Sequence, residues 1–191
     1  NRSSGKMGYS IAREAIARGA DVTFISGPTN LSIPQNLKKF VQIESAQDLY
    51  EAVVSNLSEN KIVIQSAAVA DYKPKTYSDK KIKKKNDDLS IELSRNYDIA
   101  YEIGKIKEDK ILIGFAAETN DLIEHAKGKI KKKNLDFIVA NDLTKEGAGF
   151  RADTNIVKII DVEGNITEYP KMKKEEVANV ILDKVKALLE K

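Results

Sequence analysis

Apolar residues along this chain alternate between helical spacing and short continuous runs, the two patterns expected of amphipathic helices and buried strands. From Ser4 to Arg18, Met7, Ile11, Ala15 and Ile16 recur at helical spacing, and Gly19 follows where a helix would end. Val22 to Ile25 then predicts a buried strand, and Val41 to Ile43 a second short one. Ser45 is placed to cap a helix through Ala46, Leu49, Val53 and Leu57, after which Lys61 to Gln65 reads as a strand. Leu89 to Leu93 alternates as a strand would, Ile99 to Ile106 is helical in spacing, and Ile111 to Phe115 is a continuous apolar run. Asp121 to Lys132 predicts a polar-faced helix leading to a strand at Phe137 to Ala140. Ile156 to Ile160 and Asn165 to Tyr169 flank Glu163 and Gly164 as a hairpin, and Lys174 to Leu189 makes a closing helix.

Strand and helix in turn predict an α/β fold, Rossmann-like, with a mostly parallel sheet, helices on both faces and a C-terminal hairpin plus helix. The chain has 191 residues and 41% hydrophobic content, which suits one domain over 1–191 with a full core. Lysine plus arginine number 32 against 29 acidic residues, and a net charge of +3 is too small to make nucleic acid the expected partner. No apolar run approaches the roughly twenty residues of a membrane-spanning helix, and no signal-peptide pattern opens the chain, so a soluble, cytoplasmic protein is expected. With no cysteine, any thiol in the chemistry must come from a substrate. The chain opens at Asn1 on a polar segment with no strand before it, from which an upstream segment is expected.

Ligands of such sheets bind beyond the carboxyl ends of the strands, which directs attention to the loops after Ile25, Gln65, Phe115 and Ala140. At the start, Asn1 to Gly8 reads NRSSGKMG and runs into a helix, bringing backbone N–H groups, two hydroxyls and Lys6 to a positive helix end suited to phosphate. It is neither a P-loop nor the dinucleotide glycine fingerprint, and an ordinary helix cap would read the same way. Gln65 to Lys75 reads QSAAVADYKPK, in which small side chains admit a flat ligand. Asp71 there can accept from sugar hydroxyls or a base, lie near magnesium, or simply be solvated. Lys80 to Lys85 reads KKIKKK, either a solvated surface loop or a cationic strap over a triphosphate. In GFAAET, Gly114 to Thr119, Phe115 can support a base; Lys129 and Lys133 share a helix face near its end, where the dipole alone would favour cations. KNLDFIVAND over Lys133 to Asp142 and GFRADTN over Gly149 to Asn155 are further candidate loops, and His125 has a surface role on its polar helix.

NRSSGKMG, AAVADYKP, KIKK, GFAAET, NLDFIVAND and the GF-x-x-D-x-N pattern, in this order, resemble phosphopantothenate-cysteine ligase, also called phosphopantothenoylcysteine synthetase, over nearly the whole chain. In many bacteria that domain is the carboxyl half of a bifunctional protein whose amino half is a flavin-dependent decarboxylase. The resemblance therefore implies a possible fused partner and places FMN only in the half that this chain does not contain. It implies that 4′-phosphopantothenate and cysteine are joined through an acyl-cytidylate, with CTP converted to CMP and pyrophosphate. Asn1 would act in the attack by cysteine, and Lys81 in forming the intermediate. CTP contacts would be Gln65, Ser66, Ala67, Asp71, Lys81, the stretch Ser94, Arg95, Asn96 and Tyr97, then Phe115, Lys129 and Lys133; the family commonly has proline where Tyr97 stands. The family also implies a first strand and glycine-containing loop ahead of the asparagine, magnesium alongside CTP, and a homodimer with its active site close to the subunit interface.

Two other readings suit the architecture. A nicotinamide- or flavin-dependent oxidoreductase is open to any Rossmann-like fold, although the dinucleotide fingerprint is absent. A non-enzymatic nucleotide- or nucleic-acid-binding module would use the lysine strap, and its mark would be steeply salt-dependent binding.

Overall fold

The computed structural model describes residues 3–83, 89–118, 122–142 and 152–190. Helix α1 (Lys6–Ala17) leads to strands β1 (Thr23–Ser26) and β2 (Lys39–Gln42), which pair in parallel. Helix α2 (Ala46–Leu57) follows, capped as its sequence predicts: the Asp48 amide donates to Ser45 Oγ at 3.1 Å, and the Ser45 amide donates back to the Asp48 carboxylate at 2.9 Å. Next come β3 (Ile62–Gln65), the antiparallel ribbon of β4 (Tyr72–Pro74) and β5 (Leu93–Arg95), helix α3 (Ile99–Ile106) and strand β6 (Ile111–Glu118). Helix α4 (Leu122–Lys133), β7 (Phe137–Asp142), β8 (Thr154–Asn155), β9 (Val157–Asp161), β10 (Ile166–Glu168), β11 (Met172–Lys173) and α5 (Lys174–Leu189) complete the order.

The central sheet runs β3, β6, β7, β9, β10, with β3, β6 and β7 mutually parallel and the β9–β10 hairpin added antiparallel to β7. Alternation along β6 sends successive side chains to opposite faces. Ile111 and Ile113 join Phe137, Val139, Val157 and Ile159 beneath α1 and α5; Leu112 and Ala116 join Ile138, Ala140 and Ile160 beneath α2, α3 and α4. Helices therefore cover both faces, as the alternation of elements predicts. No helix among the described residues is long and apolar enough to cross a membrane.

The stretch 89–93 departs from expectation. Only Leu93–Arg95 forms a strand, because its partner β4 is three residues long, and Leu89, Ile91 and Leu93 all remain exposed. Three short strands, β4, β8 and β11, went unpredicted, being too brief to carry a period. The helices α3 and α5 fall on their predicted bounds.

Helices α3 and α4 meet at Gly104. A Cβ on this residue would lie 2.0 Å from the Lys133 carbonyl oxygen, and the neighbouring Asn134, at φ 52°, donates its side-chain amide to the Gly104 carbonyl at 2.9 Å. The obstacle is backbone and has little room to yield. Beneath it Lys107, almost fully buried, pairs with Asp136 at 2.6 Å, and the same carboxylate accepts from the Leu112 amide at 2.7 Å.

Opposite outcomes are expected at two helical glycines. Gly104→Ala should lower stability by about 2–3 kcal/mol through overpacking, whereas Gly128→Ala, whose Cβ would meet nothing within 4 Å, should raise it by about 0.5–1 kcal/mol through helix propensity. Urea denaturation of the two variants measures both signs.

Candidate functional site

The carboxyl ends of β1 and β3 and the amino end of α1 lie together. A Cβ on Gly8 would approach Ser66 Oγ to 2.9 Å and the Phe24 ring to 3.9 Å, so the first turn of α1 sits on Ser66 just past the end of β3 and beside Phe24 within β1. The glycine there lets Ser66 stand next to the helix start. Gln65 closes β3, paired in register with Gly114, and Ser66 and Ala67 follow it.

The segment after β3 is tied to the end of β5 by backbone. Asn96 donates its main-chain amide to the Asp71 carbonyl at 2.8 Å and its side-chain amide to the Ala70 carbonyl at 2.8 Å, while Arg95 and Ser94 pair with Tyr72 and Lys73. The Asp71 carboxylate is left exposed. Tyr97 stacks on Tyr50 of α2 with ring centroids 5.7 Å apart, and the Lys73 ammonium lies 5.9 Å from the Tyr97 ring. Beyond Tyr97, the Asp98 side chain caps α3 by accepting from the Tyr101 amide at 3.3 Å, and also pairs with the Lys133 ammonium at 2.9 Å.

The structure thus brings together Gln65, Ser66, Ala67, Asp71, the stretch Ser94 to Tyr97 and, through Asp98, Lys133. Phe115 lies on the α1 side of the sheet, the side on which Ser66 meets Gly8, and is separated by face from Lys133. Its partly buried ring packs with the α1 and α5 cluster, on the opposite side of the sheet from α3 and α4. Lys129 is half-buried on α4, one turn before Lys133. Lys81 is exposed between β4 and β5, with no ion pair or hydrogen bond to the strand ends among the described residues. Asn1 lies outside the described residues, as do Gly149 to Arg151 of the GFRADTN segment. His125 is exposed.

What remains of that segment closes on the start of α1. Lys6 donates to the Asp153 carboxylate at 2.6 Å, and Asn155, 6% exposed, directs its side-chain nitrogen to Met7 Sδ at 3.9 Å. Lys174, 4% exposed, donates to the Ala152 carbonyl. Burial, and then the charge of Lys6, push the Lys174 ammonium below its ordinary pKa. Sequence reasoning passed over Asp98, Tyr50 and Lys174. Asp98 had a usable signal, an aspartate immediately before a helical run; the other two act through contacts that no local pattern encodes.

No group of three or more histidine or acidic side chains among the described residues could hold a metal ion. A magnesium ion carried by nucleotide phosphates would find the exposed Asp71 carboxylate available to it.

The model of the DNA/pantothenate metabolism flavoprotein C-terminal domain matches residues 1–189. The coenzyme A biosynthesis bifunctional protein CoaBC of Bacillus subtilis (strain 168) is 48% identical over 188 residues, covering 98% of this chain and 46% of that protein. The chain spans about half the length of the curated relatives it matches. A crystal structure of the C-terminal domain of CoaBC is 43% identical and superposes with a TM-score of 0.84, over 100% of this chain and 87% of the other. The fold alone is shared with a Cab2 variant in complex with phosphopantothenate-cysteine, at 13% identity and a TM-score of 0.76, covering 100% of this chain and 80% of that one.

The Lys6–Asp153 pair predicts an acid-dependent contribution to stability. The hydrogen bond from Lys6, and then its charge, hold the Asp153 carboxyl below the usual carboxylate range. A depressed carboxyl stabilises the fold above its unfolded value, and the contribution is lost as pH falls through the folded one. Asp153→Asn should therefore melt below the parent at pH 7, and the gap should close in acid; a gap constant across a pH series of melts would contradict this account.

Proposed function

We propose, from the premise that this chain belongs to the DNA/pantothenate metabolism flavoprotein C-terminal domain family, that it joins 4′-phosphopantothenate to cysteine at the expense of CTP in coenzyme A synthesis. The observation that carries the reading is the meeting of the α1 start with Ser66 at the end of β3, beside a segment 65–71 that is bound to 94–97. An anion-receptive helix end thus lies next to small residues and an aromatic stack, the features needed by a phosphorylated acid and a nucleotide. The sequence similarity to CoaBC proteins supports the choice of reaction.

A carboxylate is a poor electrophile at neutral pH. In the first step a carboxylate oxygen of phosphopantothenate bonds to the α-phosphorus of CTP, and the bond to the β-phosphate oxygen breaks, releasing pyrophosphate. In the second, the amino nitrogen of cysteine bonds to the acyl carbon, the bond to the phosphate oxygen breaks, CMP leaves and the amine gives up a proton. Two anions must approach in the first step, and Lys81 offsets their repulsion from its exposed position after β4, as part of a cationic strap over the triphosphate. Asn1, uncharged but able to donate and accept, orients the acyl-cytidylate carbonyl. Gln65, Ser66, Ala67, Asp71, Ser94 to Tyr97, Lys129 and Lys133 hold the nucleotide, and Phe115 is offered from the α1 side of the sheet. Magnesium accompanies the triphosphate.

Residues 1–191 act as one synthetase unit in the cytoplasm, with a decarboxylase half as its fused partner and FMN confined to that half. A homodimer is favoured by the β4–β5 ribbon and the residues flanking β5, which present Tyr72, Leu93, Ile91 and Tyr97 half-exposed or more. Such an apolar, two-stranded edge invites a second copy of the chain.

Thermal melts with magnesium and CTP, ATP or NADP test the nucleotide. CTP at a hundredfold excess over its dissociation constant should add about 2.7 kcal/mol of apparent stability; selective stabilisation by NADP would replace this reading with an oxidoreductase. Lys81→Met should cut pyrophosphate release on the order of a hundredfold with its circular dichroism unaltered, and undiminished release would remove Lys81 from the mechanism.

A further inference from the structure

Lys133 reaches the ligand end of the sheet from an unfavourable starting point. Helix α4 connects two parallel strands, so it runs back from the carboxyl end of β6 to the amino end of β7, and Lys133 is its last residue. The Lys133 backbone sits against Gly104 in the last turn of α3. Helix α3 likewise runs toward the amino end of β6, which puts its cap Asp98 at the opposite, ligand end.

Left to local electrostatics, an ammonium at this position would stay with the free carbonyls of its own helix end, as cations do at C-termini. Lys131 and Lys132, its neighbours in the same last turn, are exposed. Lys133 instead extends back along α3, 23% exposed, to the Asp98 carboxylate at 2.9 Å. Its ammonium then lies next to the positive amino end of α3, a location that repels it unless a carboxylate is present. Asp98 supplies that charge while capping the helix through the Tyr101 amide, so the carboxylate is itself held in place. Asp98 follows Asn96 and Tyr97 directly, and Asn96 is bound to Ala70 and Asp71, which registers the Lys133 ammonium against the segment after β3.

We propose that Asp98 is a positioning residue for nucleotide binding: it draws the Lys133 ammonium along α3 to the ligand end of the sheet and holds it there for the incoming nucleotide. The inference rests on the reading above in which Lys133 contacts CTP. Asp98 acts through Lys133 and needs no contact of its own with the nucleotide.

A double-mutant cycle tests it, with CTP and magnesium titrated calorimetrically into the full chain and its Asp98→Asn, Lys133→Met and doubly substituted forms. Asparagine caps helices as well as aspartate does, so Asp98→Asn removes the charge and leaves α3 capped. A melting temperature close to the parent's confirms that, and Asp98→Glu, which restores the charge, should recover part of the affinity. Each single substitution is expected to weaken CTP binding about tenfold, and the double no further than Lys133→Met alone, since contacting residues couple non-additively. Wild-type affinity in Lys133→Met removes Lys133 from the nucleotide contacts and overturns this proposal while leaving the nucleotide reading standing, whereas no CTP binding by the parent overturns both. Weak binding by Lys133→Met combined with undiminished binding by Asp98→Asn, or losses that multiply in the double variant, overturns the positioning role alone.

Discussion

The pairing of β6 with β7 is the constraint on which the remaining structure depends. Both strands are covered on both faces, so their residues must be apolar at nearly every position, and the pairing Ile113↔Phe137 through Ala116↔Ala140 sets the register of everything laid upon them. Odd positions of β6 look toward α1 and α5, even ones toward α2, α3 and α4. A slip of one residue would exchange the two faces and break both cores at once. The same parity separates Phe115 from Lys129 and Lys133, so a nucleotide touching all three must lie across the strand ends rather than on one face.

Much of the architecture was legible because its elements are long and periodic. Helix α3 follows an aspartate cap and carries its apolar residues on one face; Ile111 to Phe115 is apolar without interruption, as a doubly covered strand has to be. The alternating stretch 89–93 misled for the complementary reason. Alternation signals a strand only where one face is buried, and here Leu89, Ile91 and Leu93 face outward on a ribbon with a three-residue partner. Strands β8 and β11 are two residues each, held by tertiary contacts rather than by any property of Thr154 or Met172.

Of the candidate site, the strand-end segments were readable and the side-chain pairings were not. That Ser66 and Asp71 follow an apolar strand is a local fact, whereas the Lys133–Asp98 pair joins residues far apart in sequence, and the Tyr50–Tyr97 stack joins a residue within α2 to one just before α3 with no shared motif. Each segment alone had an ordinary structural explanation; their order along the chain was the informative quantity. The fold then explains part of why order matters, since the start of α1, the segment 65–71 and the stretch 94–98 are brought to one end of the sheet.

The stack of Tyr97 on Tyr50 also governs how this protein can be watched. The chain has seven tyrosines, five phenylalanines and no tryptophan, so the long-wavelength part of its near-ultraviolet signal is tyrosyl. Tyr50 and Tyr97, with Tyr72 in the adjoining ribbon, stand beside the segment proposed to hold the nucleotide, and the Lys73 ammonium lies near one of the rings. The stacked pair therefore gives unlabelled protein a built-in spectroscopic reporter of events at the proposed site.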